Sequence, residues 1–232
     1  MRVAAFVQAR MGSTRLPGKA LLPVWRDMPL IELVLRRASA AASLDNVVLV
    51  TTSDERDDPL AEVGERLGVA VFRGAEHDVL GRFASALERH PADAVVRVCA
   101  DNPFVDPSAL DQLVGFFESV QPCDYASNHT ALSGLPDGSG GEVMSATSLR
   151  RAAAEAVSPY DREHVAPFVV GRPEAFRIRF APPPADPWPF LKLDIDTPRD
   201  YSRLRRLADR LPDDQAPLWD LPTVVECATP SS

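Results

Sequence analysis

Cationic side chains and glycines concentrate near the start of the chain, in the segment AFVQARMGSTRLPGK at residues 5–19. Its chemically distinctive residues are Arg10, Arg15, Lys19, Gly12, Gly18, Ser13 and Thr14. Guanidinium and ammonium groups bind phosphate oxygens, and glycines allow backbone N–H groups to approach a polyanion closely. The segment is therefore predicted to bind a small phosphate-bearing ligand. A solvated, charged surface loop is the alternative that these residues leave open.

The distribution of charge favours a local anion site. The 232 residues include 25 Lys and Arg against 33 Asp and Glu, a net charge of −8. Residues 1–26 contain five of the cations and no carboxylate, so the rest of the chain has 20 cations against 33 carboxylates. Binding to a phosphate backbone requires a broad Lys/Arg surface, so this composition argues against a nucleic-acid partner.

Two common nucleotide-binding motifs are absent from the sequence. Five residues separate Gly12 from Gly18, and Ala20 follows Lys19, so the segment lacks the spacing and the hydroxyl group of a Walker A loop. The dinucleotide fingerprint GxGxxG is absent as well. These observations disfavour a kinase, an ATPase or an NAD-dependent enzyme.

The elements that must position this segment alternate between strand and helix patterns. Strands are predicted at 3–7, 46–52, 69–72 and 93–99, and helices at 29–42, 57–67, 78–89 and 108–120. Four alternations predict an α/β fold with a mostly parallel sheet and helices on both faces. Such sheets bind ligands at the carboxyl ends of their strands, which is where the cations follow the first strand.

The second half of the chain is less regular. A strand at 124–128 and a Gly-rich stretch at 134–141 predict a hairpin region, about 124–145, over the mouth of the sheet. The remaining predicted elements are helices at 146–157, 161–170 and 198–211 and strands at 175–180 and 190–195. Residues 1–211 are expected to form one domain, followed by a Pro-rich tail at 212–232.

The sequence QARMGSTRLPGK at residues 8–19 resembles the signature loop of SpsF-like and CMP-KDO-synthetase-like cytidylyltransferases. Further similar segments are DVLGRF at 78–83, RVCADNPFVDP at 97–107, DYASN at 124–128, DREHVAPF at 161–168 and DIDTPRDY at 194–201. The resemblance implies a three-layer, Rossmann-like nucleotidyltransferase fold that transfers CMP from CTP to an acceptor and releases pyrophosphate. It also implies a homodimer that pairs through the hairpin region.

The same resemblance assigns roles to the residues around the loop. It implies that Arg10, Arg15 and Lys19 hold the triphosphate while nearby backbone contacts the cytosine. The implied nucleotide-binding residues are Gln8, Ala9, Arg10, Met11, Gly12, Ser13, Arg15, Lys19, Ala100 and Asp101. The implied catalytic residues are Arg10, Arg15, Lys19, Asp101 and Asp196.

Two aspartates follow predicted strands at the same edge of the sheet. Asp101 follows the strand at 93–99, and Asp196 follows the segment from Leu191 to Leu193. The resemblance implies that both carboxylates hold Mg²⁺, which neutralises phosphate oxygens during nucleotidyl transfer. A turn residue at 101 and a helix N-cap at 196 are the alternatives without a metal, and Asp194 is a weaker candidate.

The acceptor-binding residues are predicted in the second half of the chain: Asn128, Glu142, Arg162 and His164. An arginine at 162 suits an acidic group on the acceptor. The alternative for residues 161–165 is an ordinary helix start with an exposed charged turn. Gly140 and Gly81 stand where the family commonly has acidic residues, so an acceptor contact or a contribution to a second metal is expected to be missing.

The sequence therefore predicts a Mg²⁺-dependent cytidylyltransferase that acts on an acidic sugar or a related acceptor. The alternatives are a transferase that uses another nucleoside triphosphate on a sugar phosphate, a non-catalytic nucleotide-binding protein of the same fold, and a glycosyltransferase. Three cysteines without CxxC spacing predict a reducing cytoplasm. No stretch approaches the roughly 18 apolar residues of a membrane span, so no membrane association is expected.

Overall fold

Strands and helices alternate along the part of the chain that the computed structural model describes, residues 1–129, 133–185, 187–188 and 191–229. The strands are β1 (Val3–Gln8), β2 (Pro23–Trp25), β3 (Met28–Pro29), β4 (Asn46–Thr52), β5 (Ala70–Gly74), β6 (Ala94–Cys99), β7 (Tyr125–Ser127), β8 (Glu142–Ser145) and β9 (Ile178–Phe180). The helices are α1 (Leu30–Ala38), α2 (Asp58–Arg66), α3 (Val79–Arg89), α4 (Pro107–Ser119), α5 (Ala146–Glu155), α6 (Pro159–His164), α7 (Pro167–Val170), α8 (Pro198–Ala208) and α9 (Leu221–Ala228). Within these ranges, no helix is both long enough and apolar enough to cross a membrane.

Seven strands form one mixed sheet in the order β5-β4-β1-β6-β8-β7-β9. The first four of these run parallel to one another, and β8 pairs antiparallel with both of its neighbours. β7 and β9 again pair in parallel. The predicted α/β class with a mostly parallel sheet is confirmed. The sequence did not predict the small antiparallel ribbon of β2 and β3 that follows the cationic segment.

The central strand β1 shows why the fold has three layers. Val3, Ala5 and Val7 contribute to one apolar core, whereas Ala4 and Phe6 contribute to the other. Helices α1, α2, α4, α8 and α9 supply the first core, and helices α3, α5 and α7 supply the second. A strand that is covered on both faces reads as a continuous apolar run, which is the pattern of β1 in the sequence.

The order of the strands places a crevice beside the cationic segment. The chain continues from β1 to β4 and β5 on one side of the sheet, and then returns to place β6 on the other side of β1. At this reversal Gln8, the last residue of β1, lies opposite Cys99, the last residue of β6. Ligands bind in the crevice beyond the carboxyl ends of the strands at such a point. The fold therefore brings the loop after β1 close to Asp101, which follows β6.

The region at 124–145 differs from the predicted hairpin over the sheet. β7 and β8 are members of the main sheet, and Glu142 of β8 lies directly opposite Arg97 of β6. The expected hairpin includes residues 130–132, which lie outside the described residues. Antiparallel pairing with β6 holds β8 in the sheet, and β7 pairs with β8. These two strands therefore extend the main sheet and do not cover it.

The strand predicted at 190–195 is not formed by residues 191–195 as the structure describes them, and residue 190 lies outside the described residues. Lys192 makes an isolated parallel bridge with Asp137, and the Ile195 amide donates to the Asp101 carbonyl at 2.8 Å. The partners of this segment are loops and not a strand, so no ladder propagates. The hydrogen bond from the Ile195 amide nevertheless holds Asp196 next to Asp101.

The segment expected as a Pro-rich tail packs against the domain over its described length. Trp219 is fully buried, and Leu221, Val224 and Val225 form the apolar stripe of α9. The buried Arg37 guanidinium donates to the carbonyls of Val105, Pro217 and Trp219 at 2.8, 2.8 and 2.9 Å. Residues 230–232 of the expected tail lie outside the described residues.

Candidate active site

A cleft of about 410 Å³ lies at the reversal between β1 and β6. It is lined by Gln8, Ala9, Arg10, Gly12, Ser13, Thr14, Arg15, Lys19, Ala20, Val79, Arg97, Cys99, Ala100, Asp101, Glu163 and His164. Nine of the ten residues predicted to bind the nucleotide are in this lining, and Met11 is the exception. The structure therefore brings the predicted loop and the end of β6 together around one space.

The loop after β1 folds around the peptide groups of Met11. The Met11 carbonyl accepts hydrogen bonds from the amides of Ser13 and Gly18, at 2.9 and 3.4 Å. Gly18 has φ +70°, a left-handed conformation that a side chain would strain. The amides of Gly12 and Thr14 donate no hydrogen bond to any residue that the structure describes. Backbone N–H groups free in a loop of this kind can bind an anion.

Lys19 connects the loop to both predicted metal-binding carboxylates. Its Nζ lies 2.8 Å from Asp101 Oδ2 and 3.6 Å from Asp196 Oδ1, and it also donates to the Ile195 carbonyl at 2.7 Å. Arg15 Nη2 lies 2.7 Å from the same Asp196 oxygen. Cations and carboxylates therefore meet at one point, where a phosphate oxygen can approach the cations and a metal can approach the carboxylates.

The backbone of Asp196 is held by a capping interaction that does not involve its carboxylate: the Asp196 amide donates to Asp200 Oδ2 at 3.2 Å. The N-cap of α8 is Thr197, which forms a capping box with Asp200. Burial raises the pKa of Asp200, but hydrogen bonds from Thr197 and Lys192 more than offset this effect and lower it to about 2. The N-cap alternative for Asp196 is therefore not what the structure shows. Its carboxylate faces Lys19 and Arg15.

A second cleft, of about 150 Å³, adjoins the first and shares Arg97, Cys99 and Asp101 with it. Its remaining lining consists of Asn102, His129, Asp137, Gly138, Gly140, Gly141, Glu142 and Asp194. Two neighbouring spaces with Asp101 between them can hold two reacting molecules. Burial raises the pKa of the shared Cys99 thiol to about 11, so the thiol stays protonated near neutral pH.

A buried charged cluster forms one wall of the second cleft. Glu142 Oε2 accepts from Arg97 Nη1 and Glu142 Oε1 accepts from the Tyr125 hydroxyl, both at 2.6 Å. His129 Nε2 lies 3.0 Å from the same Oε1. Arg97 Nε also donates to the Gln8 side chain at 3.2 Å. The cluster thus links β1, β6, β7 and β8 across the carboxyl edge of the sheet, and it fixes Arg97 between the two clefts.

The cluster shifts the ionisation of its members. Burial raises the pKa of Glu142, but the His129 hydrogen bond and the Arg97 charge outweigh burial and lower it to about 2. Burial lowers the pKa of His129, but its hydrogen bond to Glu142 and the charge of that carboxylate raise it above the ordinary 6.5. Glu142 is therefore ionised at neutral pH, with the Arg97 guanidinium against one carboxylate oxygen and His129 against the other.

The four residues predicted to bind the acceptor occupy different places. Glu142 lines the second cleft, whereas His164 lines the first. Asn128 is buried, and its side chain bonds the Ala109 carbonyl and the Gly141 amide at 2.8 and 2.9 Å. The Arg162 guanidinium is held by Asp78 at 2.6 Å and by the carbonyls at 153 and 156. Acceptor binding by Asn128 and Arg162 stays a prediction, and neither residue lines either cleft.

Packing accounts for the two glycines at commonly acidic positions. A Cβ atom at Gly140 would lie 2.5 Å from Asn128 Oδ1 and 2.8 Å from the Asn128 carbonyl oxygen. A Cβ atom at Gly81 would lie 2.2 Å from Asp78 Oδ2, in the ion pair of Asp78 with Arg162. In this chain the side chains of Asn128 and Asp78 therefore occupy the space that larger residues would need.

Sequence reasoning missed Arg97, His129 and Glu163. Glu163 pairs with Arg10 at 3.3 Å across the first cleft, and it adjoins the predicted His164. Arg97 is a charged residue inside an otherwise apolar central strand, and this was a signal that the sequence offered. His129 gave no such signal, because its partner Glu142 is brought to it by strand pairing and not by spacing along the chain.

An open α/β sheet with a cationic loop and two carboxylates at its strand-order reversal is the arrangement expected of a Rossmann-like nucleotidyltransferase. The family profile of cytidylyltransferases matches residues 4–221. The chain belongs to the cytidylyltransferase family, as the loop at 8–19 predicted.

Known proteins resemble the chain along most of its length. Spore coat polysaccharide biosynthesis protein SpsF of Bacillus subtilis is 35% identical over 207 residues, 87% of this chain and 84% of SpsF. A cytidylyltransferase structure from Leptospira borgpetersenii is 30% identical with a TM-score of 0.89, and the match covers 97% of this chain and 93% of that one. An 8-amino-3,8-dideoxy-manno-octulosonate cytidylyltransferase of Shewanella frigidimarina is 31% identical over 119 residues, about half of each chain (51% and 48%).

Proposed function

We propose that this protein transfers CMP from CTP to an acidic sugar and releases pyrophosphate. The observation that carries the proposal is the position of Lys19, whose ammonium group lies against both Asp101 and Asp196 at the floor of a cation-lined cleft. Membership of the cytidylyltransferase family supports the choice of CTP. The adjoining cleft across Asp101 supports a second substrate.

In this proposal the loop after β1 binds the triphosphate. Arg10, Arg15 and Lys19 donate to phosphate oxygens together with the free amides of Gly12 and Thr14. The acceptor hydroxyl gives up its proton to solvent as its oxygen forms the new bond to the α-phosphorus, and the bond from that phosphorus to pyrophosphate breaks on the opposite side. The negative charge that accumulates on the phosphate oxygens is stabilised by these fixed donors, and this stabilisation is the main contribution of the protein to the rate.

The residues around Lys19 fit Mg²⁺. Asp101 and Asp196 both approach one cationic group, and carboxylate oxygens are ligands that Mg²⁺ prefers. Among the described residues, no group of three or more His, Cys, Asp or Glu is arranged to hold a metal ion. Two carboxylates suit Mg²⁺, which usually keeps waters and substrate phosphates as further ligands. When bound, Mg²⁺ supplies charge neutralisation at the phosphate oxygens.

The second cleft is proposed to hold the acceptor. Arg97 and His129 line it and are the groups that would contact an acid on the acceptor. Four carboxylates line it as well: Asp101, Asp137, Glu142 and Asp194. The Shewanella relative takes its name from an acidic eight-carbon sugar, and SpsF takes its name from polysaccharide biosynthesis. These names support an acidic sugar that is later built into a polysaccharide. We also propose that the chain forms a homodimer, which light scattering tests.

Pyrophosphate release tests the proposed function. The purified protein is incubated with Mg²⁺, one of the four nucleoside triphosphates, and an acceptor from a panel of eight- and nine-carbon acidic sugars, their amino derivatives and sugar phosphates. The proposal predicts release with CTP and an acidic sugar. Release with a different triphosphate and a sugar phosphate contradicts it, and so does CTP binding without turnover for every acceptor.

A further inference from the structure

Asp57 is a buried carboxylate that lies behind the loop at 8–19 and not in the cleft. It precedes α2 and is only 2% exposed. An aspartate at a helix N-cap normally accepts from the first amides of its own helix. Asp57 occupies the N-cap position of α2, but its side chain makes no capping hydrogen bond. The carboxylate is instead turned toward the loop.

The two carboxylate oxygens of Asp57 have different partners. Oδ1 accepts from the Met11 amide at 2.7 Å. Oδ2 accepts from the side-chain hydroxyls of Thr51 and Thr52 and from the Thr52 amide, at the end of β4. One oxygen is therefore anchored to the sheet while the other holds the loop, so Asp57 transmits the position of β4 to Met11.

Met11 is the residue on which the conformation of the loop depends. Its amide is held by Asp57, and its carbonyl accepts from Ser13 and Gly18 at the two sides of the loop. The neighbouring residues in the sequence are Arg10 and Gly12, which both line the first cleft. Fixing the Met11 peptide therefore fixes the directions of the Arg10 side chain and of the Gly12 amide.

We propose that Asp57 is a positioning residue for nucleotide binding: it holds the Met11 amide and thereby preorganises the loop for the triphosphate. This inference rests on the proposed function of the loop. Preorganisation lowers the cost of ordering a loop around its ligand, so losing Asp57 is expected to weaken CTP binding in protein that remains folded.

The test compares Asp57→Ala and Asp57→Asn with Thr51→Val. Thr51 is fully buried, and its hydroxyl donates to the Oδ2 side of Asp57 at 3.2 Å, so Thr51→Val removes a buried hydrogen bond without touching the Met11 amide. Asp57→Asn keeps an oxygen that can accept from Met11, and it covers the case in which Asp57→Ala fails to fold. CTP affinity is measured by calorimetry, and loop order by amide hydrogen exchange of residues 9–19.

We expect Asp57→Ala to weaken CTP binding by roughly tenfold or more, which is the size of a lost hydrogen bond to a charged group. Asp57→Asn is expected to recover part of the affinity. Thr51→Val keeps the Thr52 contacts of Oδ2, so it should weaken CTP binding less than Asp57→Ala. Exchange in residues 9–19 should rise more in Asp57→Ala than in Thr51→Val. Wild-type affinity and exchange in both Asp57 variants would overturn the inference. Hydrogen exchange needs no nucleotide and tests the role of Asp57 by itself. If the wild type does not bind CTP, that result contradicts the proposed function and not the role of Asp57 in ordering the loop.

Discussion

The buried charged cluster around Glu142 is expected to stabilise the fold, and the structure sets the size of this contribution. Glu142→Gln keeps the shape of the side chain, removes its charge and leaves Arg97 and His129 without their counter-ion. Lowering the pKa of Glu142 from 4.5 to about 2 corresponds to about 3 kcal/mol of stability at neutral pH. Removal of one partner of a buried ion pair typically costs about 3–5 kcal/mol. We expect Glu142→Gln to lose about 3 kcal/mol.

The cluster also predicts how stability depends on pH. The pKa of Glu142 is lower in the folded state than in the unfolded state. Its contribution to the free energy of unfolding is therefore present above pH 4.5 and is lost as the pH falls toward about 2. The pKa of His129 is higher in the folded state than in the unfolded state. Its contribution to the free energy of unfolding is therefore present below pH 6.5 and is lost as the pH rises through the pKa of the folded state. Both contributions are therefore complete together between pH 4.5 and 6.5, and Glu142→Gln should remove both dependences.

Urea unfolding measured from about pH 2, through the plateau between pH 4.5 and 6.5, to alkaline pH tests this expectation, with Tyr125→Phe as the matched control. That variant removes one hydrogen bond to Glu142 and no charge, so it should cost about 1 kcal/mol and keep the pH dependence. A Glu142→Gln protein within about 1 kcal/mol of the wild type, with the same pH dependence as the wild type, would show that the charge of Glu142 does not stabilise the fold.

Three further substitutions test other parts of the structure. Lys19→Met removes the cation between Asp101 and Asp196 and should lower kcat/KM for CTP by roughly 10–100-fold, whereas Lys19→Arg should retain more of the rate in the pyrophosphate assay. Gly140→Ala should cost about 1–3 kcal/mol in urea unfolding, because its Cβ would overlap Asn128. The control Gly115→Ala, with no atom within 4 Å of the new Cβ, should be neutral or stabilising. Arg37→Met leaves three carbonyls without a donor and should cost about 3 kcal/mol, and Trp219 fluorescence should report its exposure.

The sequence predicted the parts of the fold that local patterns encode. The continuous apolar run of β1 and the strand–helix alternation gave the α/β class, because a doubly covered parallel strand needs apolar residues on both faces. The loop at 8–19 gave the family, because its residue types and spacing are specific. The end of β6 placed Asp101 at the same edge of the sheet, and this placement followed from parallel pairing alone.

Long-range pairing determined the parts that the sequence did not predict. Glu142 meets Arg97 because β8 pairs antiparallel with β6, 45 residues away along the chain, and the predicted hairpin did not include that pairing. Arg37 holds the C-terminal segment by hydrogen bonds to backbone carbonyl groups. Every residue has such a group, so the sequence gives no sign of these contacts. The eight-residue helix α9 lies within a segment rich in proline, and the sequence did not predict it.

The proposed activity depends most on the meeting of the cationic loop with Asp101 and Asp196. Mg²⁺-dependent pyrophosphate release from CTP, measured for Asp101→Asn and Asp196→Asn, tests this dependence directly, with Asp194→Asn as the comparison from the same segment. Both variants are expected to fold and to lose at least about 100-fold in rate, while Asp194→Asn retains more activity than Asp196→Asn. Wild-type rates in Asp101→Asn and Asp196→Asn would show that these carboxylates do not take part in the reaction.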